Sequence, residues 1–277
     1  MRIATVNVNG IRAAARKGMG EWLTASAPDI LLLQEVRADE QIAVDLLPGY
    51  EAAIWPCRIK GRAGVGVAVR EGGPATLGEL RYGVAAPGTE EPDVDSGRWL
   101  EADLSLTGFD GLERLTVISA YLHSGQLGTE KMDQKYAHLE LVDARMAELL
   151  AAARDGGPQV VMAGDLNVVR SERDIKNWKP NHNKIAGVMD EEIAHLEGWF
   201  ASGWIDVARW LAPGEQGPYT WWSQRGRAFD NNAGWRLDYQ VATPRLAKRA
   251  STFTVDRADS HDTRWSDHAP LVVDYAF

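Results

Sequence analysis

The chain is punctuated by short apolar runs, several of them unbroken in Val, Ile and Leu, and no other feature restricts its fold as much. A strand with one wet face alternates polar and apolar residues, whereas an unbroken run is covered on both faces. The segments that read as strands are Ile3–Val8, Ile30–Gln34, Tyr50–Trp55, Val65–Arg70, Arg98–Leu106, Arg114–Leu122, Gln159–Gly164, Tyr219–Ser223, Leu237–Ala242, Ser251–Val255 and His268–Tyr275. Helices are expected at about 13–26, 39–46, 130–154 and 191–202. The third is the clearest. Met132, Tyr136, Leu139, Val142, Met146 and Leu149 recur at spacings of three and four, and Asp155-Gly156-Gly157-Pro158 then stops the helix. No Pro/Ser-rich linker divides the 277 residues, so one domain over 1–277 is expected, long enough for a sizeable core. The longest loop, 170–190, is polar, and loops of that length are usually functional or disordered.

Composition narrows the class. One cysteine excludes an intramolecular disulfide and argues against a cysteine-built zinc site. The start, MRIATVNVNG, lacks a signal-like apolar region, and no apolar run is long enough to span a bilayer. A soluble cytoplasmic protein is expected, nucleoid-associated if bacterial, with no membrane contact and no obligate protein partner. The net charge of −9 argues against a polyanionic partner, because nucleic-acid binding needs Lys and Arg against phosphates. That total hides segregation. Windows 1–20, 55–70, 170–184 and 225–236 together carry +13, and the rest carries −22.

Several of the apolar runs begin or end on polar groups. Val160-Val161-Met162-Ala163-Gly164-Asp165-Leu166-Asn167 puts a carboxylate and an amide two residues apart, hence on one side of extended chain. Such a pair can hold a metal, orient a water or grip a phosphate; it also serves in ordinary turns. Ser266-Asp267-His268 precedes the last apolar run and suits proton handling or metal binding, or a simple cap. Asp238, among apolar neighbours in Gly234-Trp235-Arg236-Leu237-Asp238-Tyr239, needs a partner, either a His or a buried cation. Glu35 closes Asp29-Ile30-Leu31-Leu32-Leu33-Gln34-Glu35, and Asn7 sits in Val6-Asn7-Val8-Asn9-Gly10; each is a ligand candidate or a loop residue. Tyr121, in Ser119-Ala120-Tyr121-Leu122-His123, reads as a rim or core aromatic.

Taken together, Asn7, Glu35, Tyr121, Asp165-x-Asn167, Asp238 and Asp267-His268 occur in one order, each at a strand end. That order resembles the exonuclease III / AP endonuclease family of the endonuclease–exonuclease–phosphatase superfamily, from Asn7 to the final strand. The most specific pieces are Pro28-Asp29-Ile30-Leu31-Leu32-Leu33-Gln34-Glu35, Gly164-Asp165-Leu166-Asn167, Gly234-Trp235-Arg236-Leu237-Asp238-Tyr239 and Ser266-Asp267-His268.

The resemblance implies a four-layer α/β sandwich, two mixed β-sheets packed face to face with outer helices and the site at one edge. It implies phosphodiester hydrolysis with Mg2+, or alternatively Mn2+; oxygen ligands with few His and no Cys favour these cations over zinc. By matching motif, Glu35 is the principal metal ligand, supported by Asn7 and Asp267, with Asp165 and Asn167 in the same set. Asp165 orients and deprotonates the attacking water, and Asn167 holds that water or the phosphate. His268, oriented by Asp238, and Tyr121 contact the phosphate. Trp221, Trp235 and Leu237 are expected to wall a pocket for an extrahelical abasic sugar. Flipping is cheapest where no base is stacked. Contacts to duplex DNA are expected from Arg12, Arg62, Asp174, Asn177, Lys184, Arg225 and Trp222.

The implied activity is cleavage 5′ to abasic sites in double-stranded DNA, with trimming of 3′ ends. An inositol-phosphate phosphatase would carry a Cys-Asp-Arg stretch near the C-terminus, absent here. A secreted nuclease of the superfamily would be expected with a signal peptide, and an inactive accessory protein would have lost metal or His positions. Two departures stand out: Val6 replaces an aromatic, and Leu122-His123-Ser124 replaces x-Pro followed by an amide, placing an imidazole near the phosphate. Three of the four basic windows adjoin these motifs, which predicts a basic site face on an acidic body.

Overall fold

The computed structural model describes residues 1–85, 88–109 and 111–276. In chain order the strands are β1 (Arg2–Asn7), β2 (Ile30–Gln34), β3 (Tyr50–Trp55), β4 (Val65–Arg70), β5 (Ala75–Tyr82), β6 (Trp99–Leu106), β7 (Arg114–Tyr121), β8 (Gln159–Asp165), β9 (Ile205–Asp206), β10 (Asp238–Ala242), β11 (Ala250–Val255) and β12 (Leu271–Tyr275). The helices are α1 (Ile11–Arg16), α2 (Met19–Ser26), α3 (Glu40–Asp45), α4 (Glu130–Arg154), α5 (Trp178–Asn181), α6 (Asp190–Ser202), α7 (Val207–Leu211) and α8 (Pro244–Ala247).

Two six-stranded sheets form, ordered β11-β12-β1-β2-β4-β3 and β5-β6-β7-β8-β10-β9. Followed from β11 and from β9, they have the same pairing pattern: antiparallel twice, parallel once, antiparallel twice. The parallel pairs are β1–β2 and β7–β8. The unbroken apolar runs now have their reason. On β1 and β2, Ile3, Ile30 and Leu32 enter the core between the sheets, while Ala4, Val6, Leu31 and Leu33 pack outward beneath α1, α2 and α3. On β7 and β8, Val117, Val161 and Ala163 face inward, and Ile118, Val160 and Met162 pack under α4 and α6. The result is a four-layer α/β/β/α sandwich.

The seam between the sheets is not wholly apolar. Thr5 donates to Gln34, Gln34 to Ser119, and Ser119 to the Leu33 carbonyl; Gln240 donates to the Ile3 carbonyl and accepts from Tyr275. These buried groups are paired, so they fix the sheets relative to one another without leaving desolvated polar atoms.

Most elements match the sequence reading, with four corrections. The expected helix 13–26 breaks at Gly18, whose φ of +111° no helix interior accommodates, giving α1 and α2. Tyr219–Ser223 is not a strand; Trp221 makes only isolated bridges, to Trp235 and His268. β5, the two-residue β9 and the short helices α7 and α8 fall outside the expected elements. The 170–190 segment holds a 3-10 turn and the single-turn α5.

Candidate active site

The two parallel pairs end at the same edge of the sandwich, where carboxyl ends of strands present side chains to a common space. β1 delivers Asn7, β2 leads into Glu35, β7 ends on Tyr121 and β8 on Asp165. Their antiparallel neighbours begin there: β10 with Asp238, and β12 just after His268. Gly164 lets β8 approach β7 closely. Its φ is +150°, and a Cβ there would lie 1.9 Å from the Ala120 carbonyl oxygen, so only glycine fits before Asp165. Glu35 and Asn167 both have φ near +50°, in the left-handed region. Non-glycine residues pay about 1 kcal/mol or more there, a strain concentrated at functional positions.

Asn7 is fully buried and joins the sheets. Its Nδ2 donates to Glu35 Oε1 and to Asp165 Oδ2, both at 2.9 Å, and its Oδ1 accepts from the Asn9 backbone. The other Asp165 oxygen accepts from the Asn167 backbone at 3.0 Å, and Asn167 Nδ2 donates to the Leu122 carbonyl. His268 Nδ1 lies 2.8 Å from Asp238 Oδ2, with Nε2 3.7 Å from Asp165 Oδ2. Asp267 accepts from Asn9 at 2.9 Å and from the Trp221 indole at 3.2 Å.

The charges are strongly coupled. Burial pushes the Asp165 carboxyl well above its usual range, and Asp238 and Glu35 add to this against the opposing His268 and the Asn7 hydrogen bond. Burial would strip the His268 proton, but Asp238, Asp165 and Asp267 together raise its pKa far above that of free imidazole. Burial acts upward on Asp267 too, yet His268, Asn9 and Trp221 hold it below the usual value. Tyr121 is pushed up by burial and then by Glu35 and Asp165, so its hydroxyl stays protonated. Arg98 stacks over the same ring, 4.9 Å from its centre.

These groups floor a cavity of about 660 Å3. Glu35, Tyr121, Asp165, Asn167, Asp267 and His268 line it, with Asn7 and Asp238 beneath. Trp221, Trp235 and Leu237 form one wall, the two indoles edge to face at 5.6 Å. Beside it is a smaller hollow bordered by Arg12, Arg37, Lys60 and Arg62, and Arg37 borders both spaces.

Residues 4–268 match the Endonuclease/Exonuclease/phosphatase family. The chain belongs to that family. An exodeoxyribonuclease of Bacillus subtilis is 32% identical over 273 residues, 98% of this chain and 98% of that one. A DNA-(apurinic or apyrimidinic site) endonuclease of Dictyostelium discoideum is 29% identical over 99% of this chain and 70% of its own. The crystal structure of the AP endonuclease LMAP of Leishmania major superposes with a TM-score of 0.82 at 25% identity, covering 100% of this chain and 87% of that one. The chain is thus a nuclease-type phosphodiesterase of the endonuclease/exonuclease/phosphatase family.

Members of this family generally depend on divalent metals, and the donors here fit such an ion. Glu35, Asp165, Asp238 and Asp267 are gathered around the cavity floor, with His268 paired to Asp238 and Arg37 to Glu35. Glu35 and Asp267 offer carboxylate oxygens to the same space. Among the described residues no cluster of three His, Cys, Asp or Glu could hold a metal.

Other expected contacts are placed differently. Asp174 is fully buried, accepting from Arg236, Arg209 and Ser171, so it braces the 170s segment instead of facing DNA. Trp222 is buried against Phe229, its indole donating to Asn232, and likewise offers no surface. His123 is buried against Asp95 at 2.6 Å and His138, and does not line the cavity. Lys184 is exposed on the cavity rim, while Asn177 and Arg225 are exposed on loops. The basic windows shrink correspondingly. Arg2 and Arg70 lie at the opposite strand ends, paired with Asp274 and Asp29, and Arg236 is buried with Asp174 and Asp206.

The sequence reading missed Arg37 and Asn9. Arg37 pairs with Glu35 and has a φ of +51°. Asn9 lies past the end of β1 with a φ of +45°; its backbone N–H turns back onto Asn7 Oδ1 and its amide reaches Asp267.

Proposed function

We propose that the chain is a Mg2+-dependent DNA-repair nuclease that hydrolyses the phosphodiester 5′ to abasic sites in duplex DNA and trims 3′ ends by the same chemistry. It acts as one catalytic domain in the cytoplasm, on the nucleoid in a bacterial cell. The observation that carries this reading is the juxtaposition of Asp165 and His268, 3.7 Å apart, at the floor of a cavity walled by Trp221, Trp235 and Leu237.

Asp165 takes the proton of the attacking water. A carboxylate with a raised pKa is a better base near neutral pH than an ordinary one. Asn7 and the Asn167 amide keep its two oxygens oriented. His268 stays protonated and donates to a nonbridging oxygen, with Asp238 fixing the ring. Tyr121 donates a second hydrogen bond to the same phosphate. Glu35 and Asp267, with Asn7 in support and Asp165 and Asn167 alongside, would hold the metal ion. When bound, that ion neutralises charge developing on phosphate and leaving oxygens.

Selectivity follows from shape. The indoles of Trp221 and Trp235 and the Leu237 side chain would wall an extrahelical abasic sugar, whose flipping sacrifices no stacking. Arg12 and Arg62, with Lys60 and Arg37, meet the backbone beside the cavity, and Lys184, Asn177 and Arg225 extend the contact. The test is incision of an abasic duplex by purified protein in Mg2+. The same duplex without a lesion and an inositol polyphosphate serve as comparisons. Incision at the lesion with a 3′-OH product supports the reading; phosphate release from the inositol substrate without incision sinks it.

A further inference from the structure

Behind the cavity lies an ion pair that the chemistry above does not use. Lys135, on α4, and Glu192, on α6, are both completely buried, with Lys135 Nζ 2.5 Å from Glu192 Oε1. Lys135 falls on the apolar face of α4, between Met132 and Leu139, where helical spacing calls for a hydrophobe.

We propose that Lys135 is a positioning residue for hydrolysis, setting Asn167 and the loop after β7 against Asp165. Its Nζ donates to the Asn167 carbonyl at 2.9 Å and to the Ser124 carbonyl at 3.4 Å. Asn167 is the residue whose backbone N–H holds Asp165 and whose own backbone is left-handed. Such a conformation persists only where its surroundings over-determine it. Ser124 begins a segment that lines the cavity, and its neighbour Gly125 lies against the Lys135 stem and Ala186. With a φ of +73°, Gly125 suits a residue without a side chain: a Cβ would crowd Met132 Sδ at 2.9 Å, Lys135 Cδ at 3.1 Å and Ala186 Cβ at 3.3 Å. One ammonium therefore ties two loops of the cavity to a rigid helix.

A purely structural filler explains the lysine poorly. Hydrophobic residues of the same volume often replace a buried ion pair without loss of stability. What a methionine lacks is a donor for the two carbonyls. Glu192 touches neither of them; it accepts from the Gly187 and Met189 backbones, contacts that glutamine keeps.

This inference rests on the reading of Asp165 and Asn167 as the hydrolytic pair, and its test separates the two. Wild-type, K135M, K135Q and E192Q proteins are compared on an abasic duplex in Mg2+, recording kcat, KM and Tm. K135M and E192Q both break the ion pair, so a merely structural role makes their effects alike. Positioning makes them unlike. Displacing a reacting group by about 1 Å costs on the order of 100-fold, so K135M is expected to lose about that in kcat with KM nearly unchanged. E192Q keeps most of its kcat despite a lower Tm, and K135Q, which still donates, falls between. Equal kcat losses in K135M and E192Q, or wild-type kcat in K135M, overturn the assignment. If K135M does not fold, a kcat of K135Q at or above that of E192Q overturns it. A wild-type protein that does not incise sinks the functional reading instead.

Discussion

Asp165 and Asp238 stand directly opposite each other on β8 and β10, and the His268 ring bridges them. Two facing carboxylates on adjacent antiparallel strands repel, and burial strengthens the repulsion. The imidazolium relieves it, which is why His268 keeps its proton in a fully buried position. Asp238→Asn is therefore expected to cut kcat by on the order of 10³–10⁴, as loss of an orienting carboxylate does elsewhere. A single-turnover incision assay measures this, and a loss below tenfold would argue against the bridge.

The rate should depend on pH through Asp165. Burial raises its pKa, and the net effect of its charged neighbours leaves it above the ordinary carboxylate range. Only the anion accepts a proton, so kcat falls as pH drops through that raised value. The acid limb is expected near pH 7, against about 4 for a free aspartate. Measured pH–rate profiles should show the limb move or vanish in Asp165→Asn, with residual activity down by orders of magnitude.

The strand-end residues were legible in the sequence because each follows or precedes an unbroken apolar run. A run fixes position, and the first polar group past it must reach the edge. What was not legible came from pairings between distant segments. Nothing in the order of residues says that Asp174 meets Arg236 and Asp206 neighbours that same arginine, or that Trp222 packs on Phe229, so sequence alone reads both as surface groups. The charge windows failed for the same reason at Arg2, Arg70 and Arg236, whose partners lie far along the chain. Lys135 carried a signal that periodicity alone could have raised: a cation on an apolar stripe.

Those burials separate two neighbouring tryptophans by effect. Trp222→Ala should cost about 3–5 kcal/mol of stability, the usual range for emptying a buried aromatic site. Trp235→Ala, on the cavity wall, should leave folding nearly intact and lower the preference for abasic over base-bearing sugar. Denaturant unfolding and competitive incision assays measure the two effects independently. A pocket role for Trp235 does not survive unchanged preference.

The hollow beside the cavity should act through phosphates. Arg62→Glu is expected to raise KM for duplex DNA and to flatten the slope of log affinity against log salt by about one per lost contact. Titrations at several salt concentrations measure it, and an unchanged slope would place the backbone elsewhere.

The central claim is that the cavity floor hydrolyses DNA at abasic sites with a bound divalent ion. It is tested most directly by one abasic duplex, incubated with wild-type protein in Mg2+, in excess EDTA, and with Asp165→Asn in Mg2+. The account predicts incision 5′ to the lesion in the first reaction and loss by orders of magnitude in the other two. Undiminished incision in EDTA, or in the Asp165→Asn protein, would contradict it.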